Sequence, residues 1–278
     1  MGGIPLPGEL GERARDILAG RVAPVPARDA ATVVVLREEA GGLEAYLLRR
    51  KASMAFAAGA YVFPGGLVDP RDTDQVIDWA GPPPAAWGEI FRADERTARG
   101  LVCAAVRETF EESGVLLAGP SAEAVVSDTT GDDWEADRLA LIGKTLSFAD
   151  FLGRRGLVLR SDLLRPWAHW ITPEVETRRF DTRFFVAALP AGQLTRDVGG
   201  EADQVVWLRP ADALDQGGTG RILLMPPTYR TLTELSAYEK VPEVLAADRE
   251  IVTFMPKIAE VDGEMRIVLD DDYRFGAR

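Results

Sequence analysis

Short runs of apolar and β-branched residues recur along the chain and are typical of strands. Residues 31–37 and 43–50 are two such runs, and the EEAGG segment at 38–42 favours a turn between them, so together they predict a hairpin. Residues 178–188 alternate in polarity and then become wholly apolar, as expected of a central strand. Asp262-Gly263 separates two further β-prone segments and predicts a second hairpin.

A different spacing, close to that of a helix, begins near residue 98. Ala98, Leu101, Val102, Ala105 and Thr109 form an apolar stripe that predicts a helix with one face on a core. Gly114 follows and suits the left-handed position that ends a helix. Residues 115–117 after it predict a short strand. The pattern predicts further helices over residues 9–18, 132–144, 148–155, 210–214, 228–240 and 241–249, with Ser147 as the candidate cap of the helix at 148–155.

The helix near residue 98 also carries a group of acidic residues. Glu108, Glu111 and Glu112 stand at i, i+3 and i+4, within an arc of about 100°. Three crowded carboxylates repel unless a positive charge lies between them, and Mg²⁺ or Mn²⁺ suits oxygen ligands of this kind. Arg107 lies four residues before Glu111 and can hold its side chain. The plain alternative is a solvated acidic face.

The segment YVFPGGLV (61–68) predicts a β-rich run that ends in a turn at Pro64-Gly65-Gly66. Its glycine pair, together with R-E-x-x-E-E-x-G at 107–114, resembles the Nudix box, G-x5-E-x7-R-E-U-x-E-E-x-G-U. Every fixed position of the second half matches, with Thr109 in place of the usual aliphatic residue. The first half departs, because Gly66 and Arg107 are 41 positions apart and about 27 extra residues split the box. The early glutamate has no clear match: Asp72 stands at its distance from Gly66, and Arg99 at its distance from Arg107.

The segments WITP (170–173), RRFDTRFF (178–185) and PPTY (226–229) are similar to the Nudix branch with an insertion inside the box, which includes motif-19-type coenzyme A diphosphatases. The resemblance implies an α+β Nudix fold, with a mixed β-sheet sandwiched between α-helices. We expect a single domain over residues 1–278. It would carry an insertion at about 70–97, a helical insertion at about 121–160 and a C-terminal extension at about 218–278.

The same resemblance implies an activity and its residues. The expected reaction is metal-dependent hydrolysis of a nucleoside diphosphate linked to a group X, with coenzyme A or acyl-coenzyme A as the leading substrate. Dinucleoside polyphosphates, nucleotide sugars and NADH-like dinucleotides are alternatives, and so is a non-catalytic Nudix binding or regulatory module. The expected metal ligands are Glu108, Glu111, Glu112, Gly65 and Glu201, with Arg107 orienting the carboxylates, Glu108 or Glu201 as the base, and Arg50, Gly66 and Arg179 on the substrate. Asp203 competes with Glu201 for its role.

The composition of the chain limits the classes of partner that it is expected to bind. The formal net charge of −12 argues against a general binder of nucleic acid or anionic membranes, so a phosphate-containing substrate needs a local cluster of metal and arginine. One cysteine and one histidine make a zinc site of the usual type unexpected, and a single thiol is consistent with the cytoplasm. No apolar run approaches a membrane span. The helical insertion could form a wall of the substrate pocket or a homodimer contact, and the sequence does not decide between these two roles.

Overall fold

The computed structural model describes residues 3–52, 57–196 and 202–268. Strands and short helices alternate along the chain. In order the elements are β1 (Ile4–Pro5), α1 (Glu9–Leu18), β2 (Arg28–Glu39), β3 (Gly42–Arg50), β4 (Ala60–Val62), β5 (Gly65–Leu67), α2 (Pro70–Asp74), β6 (Trp79–Ala80), α3 (Pro84–Phe91), α4 (Glu95–Ser113), β7 (Ala118–Gly119), α5 (Asp132–Ile142), α6 (Phe148–Arg155), β8 (Val158–Arg160), a 3-10 turn (Ser161–Leu163), β9 (Arg165–Ile171), β10 (Phe180–Ala188), β11 (Ala202–Leu208), α7 (Pro210–Gly218), β12 (Leu223–Leu224), α8 (Pro226–Leu235), α9 (Val241–Leu245), β13 (Thr253–Phe254), β14 (Lys257–Val261) and β15 (Glu264–Val268).

The chain divides into two compact units, and the division falls within β9 and β10. Unit 1 comprises Met1–Asp29, His169–Thr182 and Val252–Arg278, and unit 2 comprises Ala30–Ala168 and Arg183–Ile251. The expectation of a single domain over residues 1–278 stays a prediction. In the part of the chain that the structure describes, no helix has the length and apolar character needed to cross a bilayer.

Unit 2 is built on a mixed sheet. Its strands run in the order β12, β4, β3, β2 and β10, with β11 also paired to β3 and β5 to β2. The predicted first hairpin is present, since β2 and β3 pair antiparallel with Glu39 opposite Gly42. β12 and β4 are parallel, which makes the sheet mixed. A smaller three-stranded sheet has the strand order β6, β8 and β7.

The helices predicted over 228–240 and 241–249 end earlier, at Leu235 and Leu245. Two further local predictions, both near the acidic residues, also differ from the structure. The glycine pair after Phe63-Pro64 is not a turn, because Gly65–Leu67 forms β5 and pairs antiparallel with β2, with Gly65 opposite Thr32. Residues 115–117 are buried but lie outside any strand, and the strand begins at β7 instead. In both places the sheet partners, which are remote in sequence, decide where pairing starts.

Helix α4 is the centre of unit 2. Asp94 caps its first turn by accepting from Thr97 N, and Gly114 ends it at φ 76°. The sequence predicts one buried face, but residues 100–107 are all buried, so every face of this part of the helix is covered. Burial on all sides means that the helix is covered by more than the sheet.

The segments predicted as insertions supply that cover. Gly100 on α4 lets α2 approach, because a Cβ there would lie 2.6 Å from Thr73 Cγ2. Phe110 stacks on Phe151 of α6 at 5.2 Å between ring centroids, and Trp134 of α5 meets the edge of this pair. As predicted, Ser147 caps α6 by accepting from Asp150 N. The helical insertion therefore packs on α4 rather than standing away from it.

Unit 1 has its own small core and sheet. The strands run in the order β1, β15 and β14, and Asp262 and Gly263 form the predicted turn with φ of 54° and 81°. Leu6, Ala14 and Met265 are buried together in this unit. The single histidine, His169, binds Asp181 and Thr253 within the same unit.

The close approach of α2 to α4 can be tested at two helical glycines. Gly100→Ala should lower the free energy of unfolding by about 1–3 kcal/mol, because the added Cβ overlaps Thr73 and Val68. Gly153→Ala in α6 is the matched control, since a Cβ there meets nothing within 4 Å, and it should raise stability by about 0.5–1 kcal/mol. Urea unfolding measures both, and equal effects of the two substitutions would contradict this packing.

Candidate functional site

One buried arginine organises the acidic residues of α4. Arg107 Nη1 donates to Glu108 Oε1 at 2.7 Å and to Glu111 Oε1 at 3.0 Å, the second being the expected i, i+4 contact. Its Nη2 donates to Leu67 O and to Asp72 Oδ2, both at 2.9 Å. A single guanidinium thus holds three carboxylates and one main-chain carbonyl.

Asp72 is the site residue that was not selected from the sequence. It lies on α2, its side chain is only 2% exposed, and it pairs with the Arg107 side chain at 2.9 Å. Asp69 and Asp72 form a capping box that fixes the first turn of α2. The signal that could have found it was its distance from Gly66, which equals that of the early glutamate in the box.

The glycine pair lies against the same carboxylates. Gly65 N donates to Glu112 Oε2 at 2.7 Å. A Cβ on Gly66 would lie 2.5 Å from the Glu108 carboxylate, so only glycine leaves that carboxylate in place. Strand β5 and helix α4 are therefore in direct contact at the two halves of the box.

Burial disfavours the charged form of the carboxylates in this cluster. Burial is the main cause that raises the pKa of Glu108 to about 7, with the nearby charge of Glu111 adding to it and Arg107 opposing it. Burial likewise raises the pKa of Asp72 and Glu111, again against the effect of Arg107. The single positive charge of Arg107 does not neutralise the negative charges of the cluster, so a further cation would be favourable there.

The donor chemistry of the cluster fits a hard divalent cation. Glu108, Glu111 and Glu112 offer carboxylate oxygens from one helical turn, which Mg²⁺ and Mn²⁺ prefer. Among the described residues no group of three or more acidic, histidine or cysteine side chains stands ready to hold a metal ion. The carboxylates instead face Arg107 and the Gly65 amide, so a metal would require them to rotate.

The remaining predicted residues have separate surroundings. Glu201 lies outside the described residues, and its competitor Asp203 accepts from Arg49 Nε at 2.6 Å. Arg50 is half-buried at the end of β3, where its carbonyl accepts from Gly59 N. Arg179 is buried in unit 1 and donates to the carbonyls of Thr172 and Val25. The substrate roles of Arg50 and Arg179 stay predictions.

The C-terminal end of α4 is held by arginines that the sequence did not single out. Arg138 of α5 donates to the main-chain oxygen of Glu111 at 2.6 Å and pairs with Glu135. Arg196 pairs with Glu135 from the other side at 2.7 Å, and its amide donates to Ser113 O. Cations are favourable beside the carbonyls that end a helix.

Comparison with known proteins places this arrangement in a family. Residues 93–235, just over half of the chain, match the NUDT19 Nudix domain. The chain belongs to the NUDT19 Nudix family. Its carboxylate helix is thus a Nudix helix, and the expectation of a Nudix fold is confirmed.

Individual relatives agree with this assignment. An acyl-coenzyme A diphosphatase NUDT19 of Xenopus laevis is 27% identical over 82% of this chain and 70% of its own length. A putative Nudix hydrolase 7 of Caenorhabditis elegans is 29% identical over 68% of this chain and 55% of its own length. The crystal structure of a Nudix hydrolase from Alicyclobacillus acidocaldarius superposes with a TM-score of 0.69, at 26% identity over 81% of this chain and 98% of that one. The chain therefore spans only part of the length of the curated relatives.

The role of Asp72 in the Nudix site can be tested by removing its charge. Asp72→Asn should cost about 2–3 kcal/mol of folding free energy and weaken Mn²⁺ binding about 10- to 100-fold, because Arg107 loses a buried partner. Denaturant unfolding and calorimetric Mn²⁺ titration measure these. Asp74→Asn breaks the exposed pair with Arg96 between the same two helices and serves as the control. Equal behaviour of the two variants would show that Asp72 has no special role.

The two glycines of β5 should fail in different ways. Gly65→Ala should destabilise the fold by about 1–3 kcal/mol, because its Cβ would lie 2.5 Å from the main-chain oxygen of Ala31. Gly66→Ala should destabilise the fold less than Gly65→Ala but weaken Mn²⁺ binding, because its Cβ displaces the end of the Glu108 side chain rather than main-chain atoms. Thermal unfolding with Mn²⁺ titration separates the two outcomes, and a destabilised Gly66→Ala variant with normal Mn²⁺ affinity would contradict the assignment.

Proposed function

We propose that this chain hydrolyses the pyrophosphate bond of a nucleoside diphosphate linked to a group X. The proposed substrate is coenzyme A or acyl-coenzyme A. The observation that carries the reaction type is the set of buried carboxylates that Arg107 holds on α4 beside Gly65 and Gly66. The substrate is supported by relatives named acyl-coenzyme A diphosphatase at about the same identity, 26–27%.

A divalent cation is part of the proposal. Glu108, Glu111 and Glu112 would hold it, with the Gly65 carbonyl and Glu201 as further ligands by family resemblance. When bound, such a cation supplies polarisation of phosphate oxygens and a lower pKa of coordinated water. Mg²⁺ and Mn²⁺ both suit the oxygen donors, and the choice between them belongs to the experiment.

The side chains divide the remaining work. Arg107 positions the carboxylates and has its Nη donors engaged with them, with Asp72 and with Leu67 O, so it acts through its neighbours rather than on substrate. Glu108 and Glu201 are the two candidates for the base that takes a proton from the attacking water. Arg50, Gly66 and Arg179 remain the proposed substrate contacts. The buried free thiol of Cys103 is consistent with a cytoplasmic location.

A panel assay with product identification tests the proposal. Coenzyme A, acyl-coenzyme A, diadenosine polyphosphate, ADP-ribose, NADH and nucleoside triphosphates are incubated with Mg²⁺ or Mn²⁺, and products are identified by mass. We expect 3′,5′-ADP from coenzyme A, at a rate that falls at least about 100-fold in the Glu111→Gln, Glu112→Gln double variant, because two of the three helix carboxylates lose their charge. Asp74→Asn is the control for loss of an exposed carboxylate nearby.

Each result has a clear meaning. Turnover of another panel member alone keeps the pyrophosphatase chemistry and overturns the coenzyme A assignment. Equal turnover by the double variant would overturn the role of the helix carboxylates. A folded wild-type protein that binds metal but turns over no substrate would favour a non-catalytic Nudix module.

A further inference from the structure

The turn between α5 and α6 carries a lysine in an unusual backbone conformation. Lys144 has φ 57°, in the left-handed region, directly after the residue that ends α5. Its amide donates to Leu141 O, and the next amide, from Thr145, donates to Ala140 O. Glycine is the usual residue at such a helix end, because a side chain costs about 1 kcal/mol or more there. The lysine thus stands at a position where glycine would be more stable.

This turn lies at the edge of the acidic cluster. Lys144 Nζ is 4.0 Å from Asp69 Oδ2, although the lysine side chain is 74% exposed. Arg71 of α2 donates to Lys144 O at 3.2 Å and so fixes the turn to the other insertion. Asp69 shares the capping box of α2 with Asp72, and Asp72 pairs with Arg107 at 2.9 Å, so Lys144 lies beside the residues that hold the Nudix carboxylates.

The neighbouring cations are already matched by carboxylates. Arg71 pairs through both Nε and Nη2 with Asp69, and Arg107 is shared by Asp72, Glu108 and Glu111. Within the described residues, the ion pair of the Lys144 ammonium is the long contact with Asp69, and most of the side chain stays in solvent. On a chain of net charge −12, an ammonium in this place is available to an incoming anion.

We propose that Lys144 binds a phosphate group of the nucleotide substrate at the rim of the carboxylate site. The proposal rests on the proposed function and deepens it, because it assigns a specificity residue to the helical insertion. Two phosphate sources share this chemistry: the pyrophosphate that is cleaved, and a phosphomonoester elsewhere on the substrate, such as the 3′-phosphate of coenzyme A.

The test compares coenzyme A with 3′-dephospho-coenzyme A. Lys144→Gly removes the ammonium and relieves the backbone, so it should raise the thermal midpoint by about 2 °C. It should also raise KM about tenfold, the loss of one charge-assisted contact. Lys144→Arg keeps the charge and should keep KM within about twofold of wild type.

The chain contains a matched control for both the charge and the strain. Arg92 also has a left-handed φ, of 53°, at the end of α3, and its guanidinium faces the exposed Glu250 at 3.8 Å. Arg92→Gly removes one positive charge and one left-handed side chain from the same unit. It should gain similar thermal stability and leave KM for both substrates unchanged.

The outcomes separate the two phosphate sources. A KM increase for coenzyme A alone assigns Lys144 to the 3′-phosphate, and an equal increase for both substrates assigns it to the pyrophosphate. Equal KM values for wild type and Lys144→Gly, or a change reproduced by Arg92→Gly, overturn the proposal.

A binding measurement distinguishes failure of this inference from failure of the proposed function. If wild type hydrolyses neither coenzyme, the proposed substrate is wrong, and Lys144 is tested by calorimetric binding of 3′,5′-ADP and of ADP. Affinity that is about tenfold weaker in Lys144→Gly than in Arg92→Gly for either nucleotide then supports the phosphate contact. Equal affinities, or no binding by wild type, overturn it.

Discussion

The structure of the site depends on a single buried guanidinium. Arg107 contacts Asp72, Glu108, Glu111 and the carbonyl of Leu67, which come from α2, α4 and the end of β5. Buried carboxylates are costly unless they are paired and hydrogen-bonded, and removing their common partner would leave several unpaired charges at once. The arginine therefore does two things that cannot be separated: it joins three segments of the chain, and it sets the positions of the carboxylates that the proposed chemistry uses.

The residues that split the Nudix box are accommodated within this arrangement. The extra residues between Gly66 and Arg107 include α2, which is capped by Asp69 and packs on α4 at Gly100. This packing brings the start of the inserted segment back to the helix that follows it. Lengthening a loop adds entropy cost only slowly, so an insertion is tolerated when its two ends still meet. The carboxylate that belongs to the early part of the box is supplied by Asp72, a shorter side chain than glutamate, brought within 2.9 Å of Arg107 by the close approach of the helices.

The second insertion holds the same helix from its other end. Phe151 and Trp134 cover Phe110, and Arg138 donates to the Glu111 carbonyl, where α4 has acceptors without helical partners. Arg71 connects the two insertions by donating to Lys144 O. The segments predicted as insertions thus help to support the carboxylate helix, and they help to bury its residues 100–107.

The sequence by itself determined the local features: the β2–β3 hairpin, α4 from its polar start to Gly114, the cap of α6 at Ser147, and the three glutamates on one arc. These follow from spacing and capping within a few residues. Only the tertiary structure decided that Gly65 and Gly66 form a strand, that Asp72 pairs with Arg107, and that Arg179 is buried against carbonyls of its own unit. Those outcomes depend on partners dozens of residues away, and a side chain's contact across such a distance is set by packing, not by sequence period.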